Sequence, residues 1–137
     1  MKTHRLVLPT HLNHYGLMYG GELLKWIDEA GYIAANLAYS GNEFVTVGLN
    51  NVAFNKSIPS GSILEFDASI IATGKSSVRI GIEVFCIKKL SIDTVPPLVF
   101  KTEITFVSID KDGKSIPIVT QIPKTGTSKC QIEGCIC

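Results

Sequence analysis

Between His11 and Gly31 the chain places an amide, Asn13, a Gly20-Gly21 pair and one carboxylate, Asp28, in a single short stretch. A carboxylate partly withdrawn from water is a better proton acceptor, because desolvation disfavours its charged form. Glycines at a helix start let a ligand approach the backbone closely, and the first-turn N–H groups there have no intrahelical partner. A carbonyl oxygen at such a terminus meets unpaired donors and the positive end of the helix dipole. That arrangement stabilises an oxyanion in acyl transfer, with one donor worth about 3 kcal/mol. Asn13 adds a neutral donor and acceptor able to hold a water or a substrate carbonyl.

Each part also has a plainer reading. Asp28 is then a surface acid pairing with Lys25 or Tyr32, Gly20-Gly21 serve a turn or close packing, and Asn13 makes an Asx-type turn leading to Gly16. His11 and His14 are set aside as bases or metal ligands, since no Cys or second acid stands at ligand spacing. No serine sits in a nucleophile-elbow setting, and Cys86 lies in a strand pattern with no flanking base. Covalent Ser or Cys catalysis is unsupported.

The elements that must position these residues follow from periodicity. From Gly21 to Ala38, Leu23, Ile27, Ala30, Ala34, Leu37 and Ala38 recur at helical spacing, and Ser40-Gly41 supplies a stop. On a wheel of about 100° per residue the apolar stripe centres between Leu23 and Ile27, with Glu22, Lys25, Glu29 and Asn36 opposite. Asp28 falls outside both groups, beside Leu24, Ala35 and Tyr32. That predicts a position at the flank of the buried face, where a second subunit or a ligand covers it.

After Gly41 the period becomes two. Leu64, Phe66, Ala68 and Ile70 alternate with Glu65, Asp67 and Ser69, and Val78, Ile80, Ile82 and Val84 alternate with Arg79, Gly81 and Glu83. Phe44 to Phe54 is strand-like with a phase slip at Asn50-Asn51, which predicts a bulge. Val99 to Ile109 reads as a fourth long strand closed by Asp110-Lys111-Asp112-Gly113, and Thr3 to Leu8 as a short edge strand. Pro59-Ser60-Gly61 and Thr73-Gly74-Lys75 are connecting turns. One short strand, one long helix and four long strands argue an α+β fold, with the helix across one face of a curved antiparallel sheet. Residues 1–120 are expected to form one domain and residues 121–137 a mobile tail.

The composition narrows the class. With 137 residues and 45% apolar content the chain suits one domain that gains from burying more surface in an oligomer. Its 13 basic and 12 acidic residues are nearly balanced, with no basic block of the sort that meets nucleic acid or an anionic membrane. Three apolar residues before Pro9 are too short for a signal-peptide core, and no run approaches a membrane span, so a cytoplasmic protein is expected. Cys86 stands alone and Cys130, Cys135 and Cys137 lie in the polar tail; thiols are expected in a reducing cytosol.

Asn13, Gly16, Gly20-Gly21, Trp26-Ile27-Asp28, Val45-Thr46-Val47, Phe54, Pro59-Ser60-Gly61 and Gly74-Lys75-Ser76-Ser77 occur in this order. In that series the chain resembles the hotdog-fold acyl-CoA thioesterases of the short bacterial type related to brain acyl-CoA hydrolase. The resemblance extends from Arg5 to Ile118. It implies a hotdog fold, paired through its edge into a homodimer with a continuous sheet and often assembled into a homohexamer, a trimer of dimers. It also implies active sites at the dimer interface, with Asp28 from one subunit and Asn13 from the other. Gly21 becomes the backbone donor to the thioester carbonyl, Gly20 permits the approach, and Thr46 belongs with the substrate-binding residues. The Gly74-Lys75-Ser76-Ser77 turn holds the pantetheine and phosphate end of coenzyme A, for which it offers hydroxyl and backbone donors and a charge. Without the resemblance it reads equally as an ordinary polar turn. Many relatives carry Asp-Thr before the Asn and a small residue after it. Here His11-Leu12 and His14-Tyr15 stand there, which bears on the width and charge of the pocket mouth.

The reaction so implied is hydrolysis of an acyl-CoA thioester to the free acid and coenzyme A. No metal or redox cofactor is expected, coenzyme A being part of substrate and product. Asp28 acts as general base on water or attacks directly to form an anhydride. In this reading Asn13 serves one site, while Gly20-Gly21 and Asp28 serve the other. Two alternatives stand beside it: a hotdog hydratase or dehydratase using His14, and a non-catalytic acyl-CoA-binding module.

Overall fold

A computed structural model describes residues 1–87 and 95–120. The chain forms β1 (Lys2–Leu6), a 3-10 turn (Pro9–His11), α1 (Gly20–Ala38), β2 (Glu43–Phe54), β3 (Ile63–Thr73), β4 (Ser77–Cys86) and β5 (Leu98–Ile109). All strand pairs are antiparallel, in the order β1-β3-β4-β5-β2. This is the expected α+β arrangement, with α1 packed against all four long strands. The tail at 121–137 and its three cysteines lie outside the described residues.

The period-two pattern produces the core directly. Leu64, Phe66 and Ala68 of β3, Val78 to Val84 on alternate positions of β4, and Phe100, Ile104 and Phe106 of β5 are buried beneath α1. The helix answers with Leu23, Trp26, Ile27, Ala30, Gly31, Ala34 and Ala35. Leu37, placed on the apolar stripe by periodicity, is instead 72% exposed, while Ala34, Ala35 and Tyr39 hold the end of the helix on the core. The helix ends at Tyr39, and Gly41 takes the left-handed conformation (φ 88°) that favours glycine.

β2 carries two irregularities. The expected one falls between Asn50 and Ala53, where Asn51 adopts a φ of 59°, and a second lies between Thr46 and Gly48. β2 is an edge strand, yet Val47 and Phe54 are 59% and 52% exposed and Val45 and Val52 are also exposed. The opposite edge, β1, is short and carries Lys2, His4 and Arg5, a common way to blunt an edge.

Gly31 marks a close approach of helix to sheet. A Cβ there would lie 2.9 Å from Ile104 Cγ2 and 3.0 Å from the Phe106 ring, both fully buried. Gly31→Ala gains about 0.5–1 kcal/mol of helix propensity, but overpacking of this kind costs typically about 1–3 kcal/mol. The expected result is net destabilisation by about 1 kcal/mol in urea unfolding; an unchanged midpoint would show that the helix is not in tight contact there.

Candidate active site

The loop from Leu8 to Tyr19 is built on short-range hydrogen bonds. Asn13 Oδ1 accepts from the N–H groups of Tyr15 (2.9 Å) and Leu17 (3.2 Å), the Asn13 N–H donates to the Leu17 carbonyl (2.7 Å), and Gly16 N–H donates to the Asn13 carbonyl (3.0 Å). The Asx-type turn is therefore real. It occupies the side-chain oxygen and leaves the amide nitrogen without a hydrogen bond among the described residues. Asn13 lines a cleft of about 390 Å³ together with Tyr19, Gly20, Leu23, Phe54 and Lys56.

The helix begins against this cleft. Tyr19 caps α1 without a side-chain bond, its own N–H donating to the His11 carbonyl (3.0 Å), and its carbonyl accepts from Leu23 N–H (3.2 Å) at the start of the helix. The N–H groups of Gly20, Gly21 and Glu22 precede that bond and have no intrahelical acceptor. The two glycines differ in purpose. A Cβ on Gly20 would lie 2.9 Å from the Phe54 ring, so Gly20 is required by packing, whereas nothing lies within 4 Å of a Cβ on Gly21. Gly21 is therefore exposed and unconstrained by packing, at the positive end of the helix dipole.

Asp28 is exposed within its own protomer, with the half-buried Leu24 beside it. Neither Lys25 nor Tyr32 pairs with it. Thr46 of β2 does, its Oγ1 donating to Asp28 Oδ1 at 2.5 Å. This bond to a charged acceptor is of the stronger kind, and it leaves Oδ2 with no donor among the described residues.

Gly21 and Asp28 are seven residues apart on a straight helix, close to two turns, so they share a face but are separated by about 10 Å along the axis. The Gly21 N–H points toward the N-terminal end, away from Asp28. An oxygen accepting from Gly21 is consequently out of reach of the carboxylate on the same helix. Asn13 and Gly20 border the same cleft, and Asp28 belongs to a separate cluster with Thr46.

The Gly74–Ser77 turn lies at the Asp28 end of the sheet. Ser77 pairs with Val107 and Val107 with Val45, next to Thr46, while Phe54 over Gly20 pairs with Phe100 and thence with Val84. Along β4 those two rows are seven residues apart, about 23 Å. The turn is more than a hairpin loop. Gly74 N–H donates to the Ser77 carbonyl (2.7 Å), the Ser76 carbonyl accepts from Ser108 N–H (2.8 Å), and the Lys75 carbonyl accepts from Ile118 N–H (2.9 Å). The Asn42 side chain grips both the N–H and the carbonyl of Val119, fixing this last strip beside the turn. Lys75 itself is exposed, above a hollow of about 200 Å³ shared with Ser76, Ser115 and Pro117.

Periodicity and residue type miss three features. Phe54 sealing Gly20 and Asn42 pinning Val119 are contacts between distant parts of the chain, with no local signal. His11 does have one: it follows Pro9 as the third residue of the turn, and its Nδ1 accepts from the Leu8 N–H (3.0 Å), as a capping side chain does. His14 is exposed, with its ring against Tyr15 and no carboxylate partner among the described residues, so nothing here pairs it with an acid as a hydratase requires.

Comparison with known proteins adds independent information. A family model described as the thioesterase superfamily matches residues 15–92. Protein VdlD of Helicobacter pylori is 34% identical over 133 residues, covering 96% of this chain and 73% of that protein. Among solved structures, an acyl-CoA hydrolase from Staphylococcus aureus, in complex with butyryl coenzyme A, coenzyme A and coenzyme A disulfide, aligns with a TM-score of 0.76 and 30% identity. That alignment covers 86% of this chain and 70% of the S. aureus chain. A hexameric thioesterase from Yersinia pestis aligns with a TM-score of 0.77 and 28% identity, over 87% of this chain and 94% of its own.

The Thr46–Asp28 bond is open to direct test. Thr46→Val keeps the shape and removes the donor, and a hydrogen bond to a charged group is worth about 1.5–3 kcal/mol. The expected outcome is a loss of roughly tenfold or more in thioester turnover with an unchanged circular dichroism spectrum.

Proposed function

The chain belongs to the thioesterase superfamily, and from that premise we propose that it hydrolyses acyl-CoA thioesters at sites shared between two protomers. It is a thioester hydrolase, releasing a carboxylate and coenzyme A. One protomer supplies Asn13 and the Gly21 N–H, and the second supplies Asp28 held by Thr46. The observation that carries this reading is the separation of about 10 Å between Gly21 and Asp28 along one helix: two groups that cannot meet within a chain meet only across an interface.

In the proposed step the thioester carbonyl accepts from the Gly21 N–H and the Asn13 amide, where negative charge develops as water adds. Oδ2 of Asp28 takes the proton of that water, while Thr46 holds Oδ1. The tetrahedral intermediate collapses with cleavage of the C–S bond, and the proton passes to the departing thiolate. Asp28 is read as a general base; solvent oxygen-18 entering its carboxylate in a single turnover would demand a nucleophile instead. No metal or redox group takes part. The Gly74–Ser77 turn, at the Asp28 end of the sheet, takes the phosphate end of coenzyme A through Lys75 and the hydroxyls of Ser76 and Ser77.

The assembly that supports such a site is a dimer joined through β2, repeated as a hexamer in the manner of the Y. pestis thioesterase. The exposed valines of β2 and the ring of Phe54 are the surface such a partner covers. No described helix is long and apolar enough to cross a membrane, and we assign the enzyme to the cytoplasm.

Complementation separates the trans arrangement from its rivals. Gly21→Pro removes the N–H at a first-turn position that tolerates proline, and Asp28→Ala removes the base. Each alone is expected to be nearly inactive, and refolding them together restores about a quarter of wild-type activity, because half the dimers are mixed and each holds one whole site. No recovery would mean that Gly21 and Asp28 act from the same chain. A mixture of Asn13→Ala with Gly21→Pro should stay inactive.

The edge makes a second prediction. Val47→Lys combined with Val52→Lys places like charges along the proposed seam. The variant is expected to run as a monomer in light-scattering chromatography and to lose turnover at the same time; a monomer with full activity would exclude a shared site.

A further inference from the structure

We propose that His11 is a positioning residue: its imidazole holds the approach loop and the start of α1 in the relation that lets Asn13 and Gly21 act on one carbonyl, a role that rests on the thioesterase reading above. His11 ties together three parts of the fold. Its Nδ1 accepts from the Leu8 N–H (3.0 Å) and its own N–H donates to the Leu8 carbonyl (2.9 Å), closing the turn that follows β1. Its carbonyl accepts from Tyr19 N–H (3.0 Å), the residue that caps α1 immediately before Gly20. Its ring stands edge-on to Trp26, with centroids 4.8 Å apart, and Trp26 is almost fully buried in the helix.

Trp26 is braced from β1 as well. Arg5 lies over the indole at 5.0 Å and pairs with Glu29 one turn along α1. The indole thus connects the loop, the helix and the edge strand, and His11 is the loop's contact with it. Asn13 follows two residues later, and the bonds of its side-chain oxygen fix its direction only relative to the loop. Met18 anchors the far side of the loop, its N–H donating to the Ile58 carbonyl (2.8 Å), and His11 is the loop's contact with Trp26 of the helix. Accepting at Nδ1 puts the ring proton of the neutral form on Nε2, a role in which imidazole serves as Gln or Glu does at the third position of a capping box.

Two substitutions divide this role into its parts. His11→Leu keeps an apolar contact for Trp26 and removes the acceptor, while His11→Gln restores an acceptor of similar reach. In the intact oligomer, His11→Leu is expected to lower kcat about tenfold with KM changed less than about twofold, since misplacement of reacting groups costs rate more than affinity. His11→Gln should return kcat to near the wild-type value. Hydrogen–deuterium exchange of the segment from Leu8 to Tyr19, followed by mass spectrometry, reads the same event without catalysis: about fivefold faster in His11→Leu and unchanged in His11→Gln. Unchanged kcat in His11→Leu overturns the proposal whatever the exchange shows, and so does a His11→Gln variant as slow as His11→Leu. A wild-type protein that released no thiol from acyl-CoA would remove the proposed function instead. The exchange comparison would then decide alone whether His11 holds the loop.

Discussion

The packing of α1 onto β5 at Gly31 governs what the site can do. Gly31 lets the helix axis come close to Ile104 and Phe106, and a side chain there would push it outward. With that contact made, the rest of the helix is a rigid rod lying in one register. Gly20 falls under the ring of Phe54 at one end, and Asp28 falls opposite Thr46 two turns later. A shift of the rod by about 1 Å would disturb both ends at once, and reacting groups displaced by that much can lose about a hundredfold in rate.

A rigid helix also imposes a distance. Its first-turn N–H groups point backward along the axis, while a side chain at Asp28 stands about 10 Å further on. In the proposed site, a single thioester meets both because two helices supply them. The sheet provides the means. Its β1 edge is short and charged, its β2 edge long and apolar, and an unpaired apolar edge is a hazard for a lone protomer. The same surface that calls for a partner in the proposed assembly lies next to Thr46 and Phe54, which border the two halves of the proposed site.

The plainer readings of several residues turn out to be compatible with the chemical ones. Asn13 does make an Asx-type turn, which uses its oxygen and spares its nitrogen. Gly20 is required by the Phe54 ring, whereas Gly21 has open space around it. The Gly74–Ser77 turn spends its Lys75 and Ser76 carbonyls on anchoring Ile118 and Ser108, while the Lys75 side chain is exposed. Structural duty at one atom and availability at the next is how a small loop can be both rigid and reactive.

The sequence by itself determined the elements and their order. Alternation in β3, β4 and β5 and the helical spacing from Leu23 to Ala34 are local patterns, set by which face of each element must leave water, and the Asn50-Asn51 bulge left its mark as a slipped phase. It also singled out Asn13, Gly21 and Asp28 by residue type. The tertiary structure decided what those residues meet. That Asp28 is exposed and bound to Thr46, that Phe54 occupies the Cβ space of Gly20, and that His11 caps a turn against Trp26 all depend on contacts between segments far apart in the chain. Periodicity reports which face of an element is buried; it carries no information about which residue of another element lies against it, because that is settled by the packing of the whole core.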